Sequence, residues 1–202
     1  MSDKQAVLMV LMEPPATHED EFNDWYDTEH FPQRCALPGF ASGSRWVCLD
    51  GWPRWLAHYD LESVDVLASD AYRAVSGPNS TPWSRRMLAR AIGRCRIVAH
   101  ASGMAAGPLA TTAAARLLLA GYQTSSPAHA HELAVAAATT LRVHPHHLDT
   151  RVYLEQRDAG VTVWSVTLFR AVVHNPELAA LAGCIHGVGA TTFNLYGRYH
   201  RA

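Results

Sequence analysis

Lysine is almost missing from this chain: Lys4 stands alone beside sixteen arginines, and the 17 basic residues meet 18 acidic ones over 202 positions. The resulting net charge of -1 excludes the strongly basic surface of a general nucleic-acid binder. Long apolar runs are missing too. The longest, residues 113–121, is broken by Arg116 and falls well short of the ~20 residues that a membrane-spanning helix needs. At the start, Met1-Ser2-Asp3-Lys4 leads into no signal-like apolar core, so a cytoplasmic protein with no membrane partner is expected. Cysteine is sparse and unpaired in pattern: Cys35, Cys48, Cys95 and Cys184 form no CxxC and are expected to be reduced. Neither a GxGxxG nor a GxxxxGK[ST] string occurs, and no serine lies in GxSxG. What remains is a composition with 49% apolar and 17% charged residues, ample for a packed core.

Ala6 to Met12 is a continuous apolar run closed by Glu13-Pro14-Pro15, which predicts a strand buried on both faces. Thr17 has the place of an N-cap before an acidic first turn, and a helix is expected from about His18 to His30 or slightly beyond. Phe40–Leu49 and Trp55–Leu61 read as strands around the turn Asp50-Gly51-Trp52-Pro53. Helical segments are expected over Val64–Val75 and Pro82–Ala91, then a strand over Arg94–Ala101. This β-α-β-β-α-β order is the ferredoxin-like arrangement. Residues 102–113 are small and uncharged, as in a linker. The order then repeats: strand Ala115–Gln123, a helix opened by Pro127 and running to about Leu141, and a hairpin of Arg151–Glu155 with Val161–Arg170. A short helix over Glu177–Ile185 and a strand over Thr191–Tyr199 complete it. The expectation is an α+β fold of two tandem ferredoxin-like units, 1–103 and 114–202 about a 104–113 linker, packed sheet to sheet as an intramolecular dimeric α/β barrel.

The segment richest in chemistry is Glu21-Phe-Asn-Asp-Trp-Tyr-Asp-Thr-Glu-His30. Phe22, Tyr26 and His30 recur every four residues, so they share a helix face that starts apolar and ends in a phenol and an imidazole. Buried without partners, such groups cost about 1–3 kcal/mol each, so partners or a wet cavity are implied. The plain alternative is a core histidine bonded to a backbone carbonyl or to Glu29. Asn23, Asp24 and Asp27 are expected to face water.

The run Glu21-x-x-Asn-x-Trp-Tyr-Asp-x-Glu-His-x-Pro-x-Arg34 with Leu37-Pro-Gly-Phe40 resembles the EthD-like branch of the dimeric α/β-barrel superfamily. Trp55-Leu-Ala-His-Tyr-Asp-Leu-Glu-Ser63 and Thr81-Pro-Trp-Ser-Arg-Arg86 look like further segments of it, and the likeness spans roughly residues 5–100. It implies two ferredoxin-like units paired through their sheets, with a small pocket between sheet and helices. The superfamily hosts unrelated chemistries, including polyketide cyclases, muconolactone isomerases, quinol-type monooxygenases, haem-degrading enzymes and aldoxime- or nitrile-handling lyases. The second half lacks the Trp-Tyr pair and a matching histidine, which implies one site per chain.

The expected function is a cofactor-independent enzyme acting on a small aromatic or polyketide-like carbonyl compound. His30 would be the acid/base, Tyr26 the hydrogen-bond donor and Glu29 the group orienting the ring. Phe22, Trp25 and Trp83 would wall a flat ligand, and Arg86, with Arg85 beside it, would clamp a carboxylate, the plain alternative being surface arginines beside a helix. His58 and Tyr59 are alternatives, because strand alternation sends them to opposite faces. A non-catalytic carrier of a hydrophobic ligand would use the same lining, and a homo-oligomer of such chains is compatible with either. Candidate metal sets are His129-x-His131, His144-Pro-His146-His147, and His30 with Glu29 and a strand histidine, and none is expected to bind a metal; haem would need an axial histidine such as His100 or His186.

Overall fold

The computed structural model describes residues 5–103 and 107–200; residues 104–106 of the expected linker lie outside the described residues. Strand β1 (Ala6–Glu13) is apolar along its length because both its faces are covered. Val7, Met9 and Leu11 point one way, and Ala6, Leu8 and Met12 the other. It lies between β3 (Trp55–Leu61) and β4 (Ile92–Ala101), with β2 (Phe40–Asp50) beyond β3. In the second half, β5 (Arg116–Thr124), β6 (His147–Arg157) and β7 (Gly160–Phe169) are followed by a small hairpin, β8 (Cys184–Ile185) and β9 (Val188–Gly189), and by β10 (Thr192–Arg198).

Both halves order their strands in the same way, β4-β1-β3-β2 and β10-β5-β7-β6, and two antiparallel seams join them into a closed eight-stranded barrel. One seam pairs β2 with β10 from Asp50↔Leu195 to Trp46↔Arg198. The other, β4 with β6, is short: His100↔Leu154 and Ala101↔Tyr153, extended by Ser102 N–H donating to Val152 O at 2.9 Å. Closure leaves no free sheet edge in the barrel.

The barrel is filled rather than hollow. Trp46, Leu56, Tyr153, Trp164 and Tyr196 meet at its centre, each such side chain being worth about 1.5–3 kcal/mol in burial. Leu109, between the halves, joins this core, and its N–H donates to Asp60 Oδ2 at 2.9 Å. Gly121 lets Trp164 lie flat on β5, because a Cβ there would stand 2.6 Å from the indole.

The helices cover the outer faces, and here the sequence expectations shift. A 3-10 turn (Ala16–His18) precedes α1 (Glu19–Trp25); a π turn (Tyr26–His30) then leads into α2 (Phe31–Cys35). Thr17 is not a cap: its hydroxyl meets His18 Nδ1 at 2.9 Å, while His18 N–H is satisfied by Pro15 O. The π turn, in which Phe31 N–H reaches back to Tyr26 O, lies just ahead of Pro32. Proline has no N–H for the normal ladder and its ring crowds the carbonyl four residues back, so a widened turn relieves both.

The helix expected over Val64–Val75 is two pieces, a 3-10 segment (Val64–Ala68) and α3 (Asp70–Arg73), because Ser63 and Ser69 each cap a new start. Thr81 caps α4 (Pro82–Arg90) in the same way. In the second half α5 (Pro127–Thr139), capped by Ser126, lays Ala130, Ala134, Ala137 and Ala138 against the sheet. The last helix, α6 (Asn175–Ala182), stops before the expected Ile185, since Cys184–Ile185 pairs into the β8–β9 hairpin. Among the described residues no helix is long and apolar enough to cross a membrane.

Candidate functional site

A pocket of about 580 Å³ opens between the outer face of the first sheet and its covering helices. Alternation along β1 supplies its apolar floor, Leu8, Val10 and Met12, and β3 adds Tyr59. The π turn brings His30 to the wall, α2 brings Arg34, and α3 brings Tyr72. Arg85 and Leu88 of α4 with Arg94 and Arg96 of β4 complete the rim.

His30 is fixed by aromatic contacts. Its ring lies 4.5 Å from that of Trp25 and edge-on to Tyr26 at 5.1 Å. Its Nδ1 is buried with no hydrogen-bond partner among the described residues. Burial, with the guanidinium charges of Arg34 and Arg45, holds the imidazole down to about 3, so it is neutral at physiological pH. The Tyr59 hydroxyl is likewise buried without a well-formed hydrogen bond and faces Tyr26. Burial raises both phenols, so each keeps its proton as a donor. An apolar pocket that presents an imidazole and a phenol, each with an unpaired buried atom, is suited to a ligand carrying one or two polar atoms on a flat body.

The other expected site residues lie around this centre rather than in it. Tyr26, expected as the hydrogen-bond donor, does not line the pocket but is buried behind the wall with Phe22 and Trp25, and the buried phenol that lines it is Tyr59. Glu29 does not reach His30; it accepts from the Thr81 hydroxyl at 2.5 Å and the Ser84 hydroxyl at 3.1 Å. Trp25 Nε1 donates to the same Ser84 at 3.0 Å, so this network ties the π turn to the start of α4. Trp83 and Arg86 turn away and bind Glu21, the indole at 3.2 Å.

His58 points into the barrel, its Nε2 4.0 Å from Asp60 and neither ring nitrogen hydrogen-bonded. The alternation along β3 thus selects Tyr59 for the pocket. Asn23 and Asp27, expected to face water, instead hold the buried guanidinium of Arg45, which lies 4.3 Å over the Tyr26 ring. Neither His100 nor His186 lines the pocket. No group of three or more potential metal ligands occurs among the described residues.

The sequence reading missed Arg34, Arg94 and Arg96 as pocket residues. Arg34 stood in the quoted motif without a role. It is only 5% exposed, yet among the described residues it has no carboxylate partner: its NH2 donates to Val75 O at 3.0 Å, and its guanidinium lies 5.2 Å over Tyr72. The one sequence signal for Arg94 and Arg96 is their spacing, which puts both on the β4 face that meets the helices.

No family model matches the chain, and no curated protein is similar to it. Solved structures do share its fold. An anthrone oxidase-like protein superposes with a TM-score of 0.66 at 13% identity, over 98% of this chain and 92% of its own. A candidate monooxygenase from Lactobacillus acidophilus NCFM gives 0.59 at 8% identity, covering 97% and 93%. A heme-binding protein from Thermus thermophilus gives 0.56 at 11% identity, covering 98% and 92%. With its two matching four-stranded units closed into one barrel, the chain has the dimeric α/β-barrel fold of these neighbours.

Proposed function

We propose that the pocket is the active site of a cofactor-independent enzyme of EthD-like type, acting on a small aromatic or polyketide-like carbonyl compound by proton transfer at His30. The observation that carries this reading is the pairing of His30 and Tyr59, both with unpartnered buried polar atoms, across an apolar floor. A flat substrate rests on Leu8, Val10 and Met12, with its oxygen at the Tyr59 hydroxyl. Neutral His30 takes the proton from the carbon or phenol beside the carbonyl. The electron pair left behind delocalises onto the oxygen, where the Tyr59 hydroxyl stabilises it. The new enolate or phenolate faces the imidazolium, which raises the basicity of His30 as the proton moves. Return of the proton at another atom gives isomerisation, and expulsion of a β-substituent with the electron pair gives lyase chemistry. Attack of the enolate carbon on a second carbonyl of the substrate, whose oxygen then takes the proton from the imidazolium, gives cyclisation, and reaction of the electron-rich anion with dioxygen gives oxygenation.

One neighbour of this fold is a heme-binding protein, and haem at this pocket would need His30 as its axial ligand. A metal-ligating histidine ordinarily donates its second ring nitrogen to a carboxylate, carbonyl or water, which orients the ring and strengthens the ligand. Among the described residues no carboxylate or carbonyl holds His30 Nδ1, so the chain does not supply the second bond that orients an axial haem histidine, and the residues do not fit that role.

The test is turnover of anthrone, a naphthoquinol and a cyclic 1,3-diketone by the parent protein, His30→Ala and Tyr59→Phe, followed by absorbance and oxygen uptake. The expected loss with His30→Ala is about a hundredfold or more, at unchanged ligand affinity. Loss of affinity alone would favour the carrier, and a Soret band in the purified protein would overturn cofactor independence.

A further inference from the structure

The arginines of the first unit fall into two sets. Arg45, Arg54, Arg73, Arg86 and Arg90 each bridge to an aspartate or glutamate. Arg34, Arg85, Arg94 and Arg96 have no carboxylate partner among the described residues, and these four all line the pocket. None of the paired arginines does, and no acidic side chain lines it. The contrast is sharpest between the two buried members. Arg45, 6% exposed, is neutralised by Asp27 and further held by Asn23. Arg34, 5% exposed, has a carbonyl and an amide oxygen but no counter-charge.

A buried charge without a counter-charge is costly, and a chain that pairs its other arginines nearby has left this one open. Those two bonds also leave most of its five N–H donors without a protein partner. Arg85 repeats the pattern at the rim, donating to the carbonyls of Pro78 and Ser80. Such carbonyl bonds fix the guanidinium forks in place without discharging them. Arg94 and Arg96 are exposed on β4 and add positive potential at the opening.

We infer that the pocket selects an anionic ligand, an aromatic carboxylate whose ring lies on Leu8, Val10 and Met12 and whose carboxylate meets Arg34, with Arg94 and Arg96 drawing it in. Planar guanidinium groups match carboxylates with paired N–H···O bonds, and the apolar floor takes the remainder of the molecule. This deepens the acid/base reading by naming its substrate class. It also makes chemical sense of the site: bound charge on Arg34 offsets one of the influences that keep His30 from accepting a proton.

The test is binding, read by tryptophan fluorescence and calorimetry, of 2-naphthoate against its neutral isostere 2-naphthamide. The parent protein is expected to bind the carboxylate at least about tenfold more tightly in low salt, with the advantage shrinking as sodium chloride is added. Arg34→Gln should remove most of the preference, weakening carboxylate binding at least about tenfold and 2-naphthamide binding much less. Because a buried arginine can also support the fold, Arg94→Gln combined with Arg96→Gln gives an independent arm at exposed positions, expected to lower the preference about threefold or more. Equal affinity for the two probes, binding of neither at millimolar concentration, or a preference that survives both variants would overturn the inference. A carboxylate preference without His30-dependent turnover would sustain it while sinking the acid/base reading, so the two proposals fail separately.

Discussion

Replacing His30 by glutamine should make the protein less sensitive to acid, and the size of the effect follows from the burial of the ring. In the unfolded chain a histidine takes up its proton near pH 6.5, whereas in the folded protein His30 does so only at about 3. Between those values the unfolded state binds the extra proton, so stability is complete above about pH 6.5 and falls as pH drops toward 3. At 1.36 kcal/mol per pH unit, His30 alone removes roughly 2.7 kcal/mol between pH 6.5 and pH 4.5, and up to about 5 kcal/mol by pH 3. These are ceilings, because the ring has one side on the pocket and water there eases its charging. Urea unfolding at pH 7.5 and 4.5, fitted to a common m-value, measures the change in parent and variant. His30→Gln should lose about 2 kcal/mol less than the parent over that interval. His58, also held down by burial, contributes the same sign in both proteins and cancels in the comparison. Equal losses in the two proteins, or an imidazolium signal for His30 at pH 5 in the folded state, would refute the reasoning.

Three further outcomes follow from the packing. Glu29→Gln should lower stability by about 1–3 kcal/mol through the Thr81 and Ser84 hydrogen bonds and leave the acid sensitivity due to His30 in place, which unfolding at the same two pH values would show. Arg45→Met should cost about 3–5 kcal/mol in urea unfolding, because it strips Asp27 of its buried partner and removes the cation over Tyr26 and Trp55. Gly121→Val should cost at least about 1–3 kcal/mol by overpacking Trp164, with the loss visible in thermal unfolding and in the indole fluorescence.

The architecture was legible because it rests on patterns that sequence preserves. The apolar run of β1, the Asp50-Gly51-Trp52-Pro53 turn and Pro127 at a helix start fix elements locally, and the repeated order leads to paired units. Helix interruptions were harder. The π turn at Tyr26–His30 and the division at Ser69 depend on a proline and on serine hydroxyls competing for backbone N–H groups, a contest whose outcome periodicity does not show. His30 drew notice in the sequence because an imidazole at the end of an apolar face is anomalous wherever it goes. The contacts of its neighbours were less legible, because the helix wheel shows direction but not reach. Glu29 borders the same face as His30, yet the widened turn carries it to Thr81 and Ser84; Trp83 and Arg86 sit on the next helix but turn to Glu21.

The arginines expose a deeper limit. A lone guanidinium in a sequence has no sign of whether a carboxylate will meet it, because, beside local pairs such as Arg73 with Asp70, the arginines around this site pair with residues far apart in the chain: Arg54 to Glu13, Arg86 to Glu21 and Arg45 to Asp27. Only after the fold has paired every other arginine of the first unit do Arg34, Arg85, Arg94 and Arg96 stand out as the unmatched remainder, and only then does their shared pocket become visible. His30 was therefore readable as a local oddity, whereas the pocket's unpaired arginines are a residual, defined by which partners the tertiary structure has already used.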